Sequence, residues 1–165
     1  MIMQFARTAT AAAALCLLAA CSPAEEEQAQ EEALPPLPAP EATTLSPLSD
    51  ADIASADLPD ELACAFSEGG DTLLFARAFV GEGERGAAIV RLDGGEIVRL
   101  ETPHEGGFGA MERRGEFSAE GIEIDIEQVS GNRAEHEGSD YDAILTVQRA
   151  DGTNRAWQGD WSCGP

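Results

Sequence analysis

An all-β fold, a small antiparallel barrel or sandwich of about eight strands, is predicted for residues 62–165 on three observations. Ile122, Ile124 and Ile126 alternate with Glu123, Asp125 and Glu127, which puts the apolar side chains on one face of a strand and the acids on the other. Turn signals recur at short intervals: Glu68-Gly69-Gly70-Asp71, Gly81-Glu82-Gly83, Asp93-Gly94-Gly95 and Ala150-Asp151-Gly152. Their glycines accept the positive φ of hairpin turns. No stretch reads as helix, and the links are too short for parallel crossovers.

Strands are expected over residues 62–67, 72–80, 86–92, 96–101, 115–119, 122–127, 143–149 and 153–161. The first and second flank the Gly69-Gly70 turn, the third and fourth the Gly94-Gly95 turn, and the last two the turn at Gly152. In the first strand Leu62, Cys64 and Phe66 share a face; at the chain's end Trp157, Gly159, Trp161 and Cys163 share one. Both cysteines point with the large apolar groups, and in an oxidising compartment they would read as a disulfide joining first strand to last. Closing a loop of about 100 residues stabilises a fold by ~4.7 kcal/mol on loop-closure entropy. Neither cysteine belongs to a Cys-x-x-Cys pair, the spacing that makes a redox couple.

The segment ahead of the domain has a different composition. Residues 22–59 hold seven of the nine prolines, and ten acids occur through Asp60 with no base. Low hydrophobicity and high charge predict a disordered or polyproline-like linker over residues 21–61. As a flexible chain it spans roughly 35 Å, and fully extended at most about 115 Å. A single helical turn fits within residues 50–62, limited by Pro59. The runs Glu25-Glu26-Glu27 and Glu31-Glu32 read as solvated charge.

Charge and residue usage narrow the function classes. The 165 residues carry 31 acids against 10 bases, a formal charge of -21, so phosphate backbones are repelled and nucleic acid is excluded as a partner. All ten bases are Arg; without Lys there is no Schiff-base lysine and no P-loop lysine. No Gly-x-Ser-x-Gly elbow occurs. No cofactor and no enzyme activity are expected. Two loops are the candidate binding elements. One carries His104, Gly106, Gly107 and Phe108, where the glycines permit a bend and no helix follows. The other carries Glu135, His136, Glu137, Asp140, Tyr141 and Asp142 ahead of the strand at Ala143. Its oxygens and imidazole could gather a hard cation, but the spacing fits neither the calcium loop nor a His-x-x-x-His pair, so no metal ligand is assigned. The arginines 77, 91, 99 and 149 and the Glu112-Arg113-Arg114 run read as cross-strand partners of nearby acids.

Residues 1–8 carry one base and no acid, and residues 9–20 are small or apolar apart from Thr10. That is the pattern of an export signal, too short for a helix that needs roughly 20 apolar residues to cross a bilayer. It ends in Leu18-Ala19-Ala20-Cys21, which resembles the lipobox of bacterial lipoproteins. The resemblance implies a signal peptide over residues 1–20, cleavage before Cys21, a diacylglycerol thioether on its sulfur, and an acylated amino terminus. Two or more acyl chains hold a protein stably on membrane lipid. Ser22, rather than Asp, implies by analogy the outer membrane, facing the periplasm. The domain resembles the membrane-bound inhibitors of c-type lysozyme through Cys64, the hairpin Leu92-Asp93-Gly94-Gly95-Glu96-Ile97-Val98-Arg99-Leu100, the loop Gly106-Gly107-Phe108-Gly109 and Cys163. That resemblance implies a lipoprotein with an eight-stranded antiparallel barrel and a terminal disulfide. The family's Ser-Gly-x-x-Tyr and Lys-bearing loops have no counterpart here, so no inhibitory residue carries over. The expected function is an envelope lipoprotein whose barrel binds or assembles with an envelope protein. The alternatives are an inhibitor of a basic c-type lysozyme and a metal-assisted envelope enzyme.

Overall fold

Nine strands form one antiparallel sheet in the computed structural model, which describes residues 42–129, 131, 133 and 138–165. The strands are β1 (Leu45–Ser46), β2 (Leu62–Glu68), β3 (Asp71–Ala78), β4 (Ala87–Leu92), β5 (Ile97–Glu101), β6 (Phe117–Ala119), β7 (Ile122–Gln128), β8 (Ser139–Arg149) and β9 (Asn154–Gly164). Two short helices accompany them, α1 (Asp50–Ser55) and α2 (Gly107–Arg113). The spatial order is β1-β4-β3-β2-β9-β8-β7-β6-β5, and β4 also pairs with β5. The predicted antiparallel barrel is therefore closed, with β2 to β9 as its eight strands and β1 as an extra one.

Alternation decides what lies inside. Ile122, Ile124 and Ile126 are buried while Glu123, Asp125 and Glu127 are exposed. Trp161, Phe66, Phe117, Leu74, Leu100 and Met111 are the largest fully buried side chains and fill the interior. Phe117 meets Trp161 edge to face, with ring centroids 6.4 Å apart. The first and last barrel strands pair from Ala63 opposite Gly164 to Ser67 opposite Asp160. Cys64 stands opposite Cys163, and the two form the expected disulfide. Gly159 makes room at the same seam: a Cβ there would lie 2.2 Å from the Ser67 carbonyl oxygen and 2.9 Å from Phe66 Cζ. The missing side chain lets β9 pass beneath the bulge in β2 between Phe66 and Ser67.

Residues 42–61 differ from the expected linker, because they fold against the barrel as a strap. Leu45 pairs with Leu92 and Ser46 with Arg91 at the end of β4, and the Leu48 amide donates to the Thr72 carbonyl at 2.8 Å. Leu45 and Leu48 are buried, which supplies the apolar contact that average composition conceals. The expected helical turn is present as α1, started by a capping box in which Ser49 and Asp52 exchange hydrogen bonds. Three arginines on adjacent strands then fasten the strap from the barrel's outer face. Arg77 pairs with Asp60 at 2.5 Å, Arg91 with Asp52, and Arg99 Nε donates to the Asp57 carbonyl at 3.2 Å. Their expected role as cross-strand partners is corrected accordingly. Arg99 alone of the three also meets a carboxylate of its own strand, Glu101, at 2.7 Å.

Hydrogen bonds from the Ser49 hydroxyl and backbone, and then Arg91, hold the Asp52 carboxyl down at about 2. A depressed carboxyl pKa stabilises the folded state above the ordinary carboxylate range, and that contribution disappears as pH falls through about 2. Asp52→Asn is therefore expected to remove an acid-induced step from the strap and to raise its cleavage at pH 7. Limited proteolysis read by mass spectrometry checks this, with new cuts confined to residues 45–61 and the barrel left whole.

Candidate functional site

Helix α2 plugs one end of the barrel. It forms where a bend without a helix was expected, despite glycines at 106, 107 and 109 that count against helix on propensity. Tertiary contacts hold it instead. The Gly106 and Gly107 amides both donate to the Glu84 carbonyl, at 3.1 and 2.9 Å, and the Phe108 amide donates to the Phe79 carbonyl at 2.8 Å. Phe108 packs against the core and Met111, one turn on, is wholly buried. At the far end the Glu112 carbonyl accepts from Gln128 Nε2 at 2.7 Å and from Trp161 Nε1 at 3.3 Å. These bonds satisfy a carbonyl that the short helix leaves open. Thr102, buried where β5 leads toward the plug, accepts the Gly86 amide at 2.9 Å.

A cleft of about 210 Å³ lies beside the plug. His104, Glu105, Arg113, Arg114 and Glu116 line it, with Met111 and Ala110 contributing apolar wall. Of the glycine loop's expected binding residues, His104 lines the cleft, Gly106 and Gly107 seat the helix, and Phe108 supports it from the core side. Arg113 and Arg114 are placed on the cleft rather than across a strand pair, which corrects their expected role. Phe79 and Val80 follow β3 and Val129 follows β7, at the same end of the barrel. They are 38%, 65% and 56% exposed, three of the four large apolar side chains that stand open among the described residues. Cationic and apolar groups therefore stand at the same end of the barrel.

Gly107 has φ 53°, and a Cβ on it would lie 2.3 Å from the Gly81 carbonyl oxygen and 2.4 Å from that of Phe79. Gly107→Ala is expected to destabilise the plug by about 1–2 kcal/mol from the left-handed backbone alone, and the two close carbonyls add to that. Faster hydrogen exchange at Ala110 and Arg114, with the β8–β9 amides unchanged, would check it.

The second expected binding segment divides. Glu135, His136 and Glu137 lie outside the described residues, as does Cys21. Asp140, Tyr141 and Asp142 belong to β8, not to a loop, because its pairing with β9 continues to Ser139 opposite Cys163. Tyr141 stands opposite Trp161 and packs against the core. Asp140, Asp142 and Asp160 gather around Arg133 at 3.3, 2.5 and 2.6 Å. Asp160 first, and then the other two, hold the guanidinium's pKa above its usual value. On β7 partial loss of solvent around the carboxyl first, and then Glu116 and Glu127, push Asp125 upward. Among the described residues no group of three His, Cys, Asp or Glu side chains is placed to hold a metal ion, and no helix is long and apolar enough to cross a membrane.

The rim is hidden in the sequence because Phe79 and Val80 read there as ordinary strand residues and Val129 falls outside every expected element. The spacing of Phe108 and Met111 followed by Arg113-Arg114 was the available signal for α2 and its cleft. No family model, no curated protein and no solved structure matches this chain.

Proposed function

We propose that this chain is a lipid-anchored protein of a bacterial envelope, facing the periplasm from the outer membrane, and that its barrel is a non-catalytic module that binds an envelope protein. The Leu18-Ala19-Ala20-Cys21 motif supports the anchor. One observation carries the binding role: Phe79 and Val80 after β3 and Val129 after β7 stand exposed at the same end of the barrel as the charged cleft beside α2, while the barrel interior is filled by side chains. Large apolar side chains left open at one end of a barrel favour a docking role for that end. The formal charge of -21 steers a basic partner toward it over long range.

Affinity purification of the acylated protein from detergent-solubilised envelopes tests this. Wild type is expected to recover a partner that the double variant Val80→Asp, Val129→Asp recovers at least ten-fold less well. Equal recovery by both, or no partner together with hydrolase activity in the pure protein, would overturn the reading. Cys21→Ala is expected to move the product out of the membrane fraction, and firm retention there would refute the anchor. A second reading, inhibition of c-type lysozyme, is favoured by the closed eight-stranded barrel stapled between its first and last strands. Excess protein that leaves lysozyme's rate on cell walls unchanged would remove it.

A further inference from the structure

We infer that the open edge of β5 is a second docking surface, on the barrel's side wall, that takes an extended basic segment of a partner protein as an added strand. This goes beyond the α2 rim and does not depend on it.

The barrel closes unevenly. On one side β5 pairs with β4 over its whole length, from Glu101 opposite Ala87 to Ile97 opposite Arg91. On the other side it meets β6 at a single position, Glu101 opposite Ser118. The hydrogen-bond parity shows what remains unused. The Leu92 amide donates to the Glu96 carbonyl at 2.8 Å and the Thr102 amide to the Gly86 carbonyl at 2.9 Å, at the two ends of the β4–β5 ladder. Bonded positions alternate along an antiparallel pair, so Val98 and Leu100 also face β4, while Ile97, Arg99 and Glu101 aim their backbone groups across the seam. Glu101 finds Ser118 there. Strand β6 ends at Ala119 and the chain turns at Gly121, so Ile97 and Arg99 have no strand beside them. Among the described residues no hydrogen bond reaches the backbone of either from that side.

Two unpaired register positions expose two N–H and two C=O groups along roughly 7 Å of strand, which is a template for strand addition. Ile97 stands 39% exposed next to them and offers apolar contact. Charge selects the occupant. Glu96 precedes β5 and Glu120 follows β6, whereas Arg99 and Glu101 offset one another at 2.7 Å and Arg99 also donates to the Asp57 carbonyl at 3.2 Å. Residues 22–41 of this chain hold six acids and no base, and a second copy brings the same acids, so neither competes well with a basic segment.

Amide hydrogen exchange by NMR on the full-length protein in detergent, with a capped Lys-Val-Lys-Val-Lys peptide as probe and its Glu-Val counterpart as control, tests the assignment. The Ile97 and Arg99 amides are expected to exchange at least ten-fold faster than those of Val98 and Leu100 in the free protein. The basic peptide is expected to slow them at least five-fold and the acidic one to leave them unchanged. Ile97→Pro removes an N–H that β4 does not use; it is expected to abolish peptide protection while Val98 and Leu100 stay protected and the disulfide forms. The inference is overturned if Ile97 and Arg99 are already as protected as Val98, if both peptides protect equally or neither does, or if protection rises with protein concentration alone, which would mean a second copy occupies the edge.

Discussion

Replacing Cys64 and Cys163 together by Ala is expected to lower the unfolding free energy by about 2–5 kcal/mol. The bond closes a loop with a sequence separation of 99. It restricts the unfolded chain most where first and last barrel strands meet, and that pair contributes the register from Ala63 to Ser67. A barrel opened at this seam would leave β2 and β9 as edges, with Phe66 and Trp161 beneath them. For a domain of this size the melting midpoint should fall by roughly 10–20 °C. Both cysteines are buried, at 1% and 6% exposure, so reductant alone should act slowly on the native protein and quickly once it is partly unfolded. Urea titrations of the detergent-extracted protein with and without dithiothreitol check both statements. Coincident midpoints would show that the seam is held by strand pairing alone.

The parts of this fold that are legible in sequence are those whose physics is local. Alternation at Ile122, Ile124 and Ile126 needs no knowledge of neighbours, and neither do the hairpin glycines at 69–70 and 94–95. The two cysteines were placed correctly because each shares a face with the aromatic groups of its own strand. What escaped depends on distant partners. The arginines of the outer face reach groups 17, 39 and 42 residues away, and the strap that supplies those groups looks like linker because its acids outweigh Leu45 and Leu48 in any local average. Polarity made Asp140-Tyr141-Asp142 resemble a loop, although Tyr141 turns inward opposite Trp161 and the flanking acids are met by Arg133. Helix α2 has too much glycine to be predicted from propensity, and it exists because Phe79, Glu84, Gln128 and Trp161 hold its two ends. The cleft inherits that difficulty, since a cleft made beside a tertiary helix is invisible wherever the helix is.

Trp161→Ala is expected to cost about 3–5 kcal/mol and to abolish the partner capture proposed for the α2 end, whereas Trp161→Phe should cost far less. Trp161 is fully buried, lies against Phe117, and stands in register with both Phe66 and Tyr141. Truncation therefore leaves a cavity bordered by three aromatic rings that the closed strand ladder cannot collapse around. The indole N–H has a separate task, donating to the Glu112 carbonyl at 3.3 Å at the end of α2. Gln128 donates to the same oxygen at 2.7 Å, so losing the indole bond does not strand the carbonyl, and Trp161→Phe should lose only about 1 kcal/mol from that source. Partner recovery should follow the position of the plug: nearly unchanged in the Phe variant, lost in the Ala variant even at a temperature where the barrel is still folded. The paired measurement of urea stability and partner capture separates packing from hydrogen bonding. If Phe proved as damaging as Ala, the indole N–H rather than the packed ring would be what keeps α2 seated in the barrel mouth.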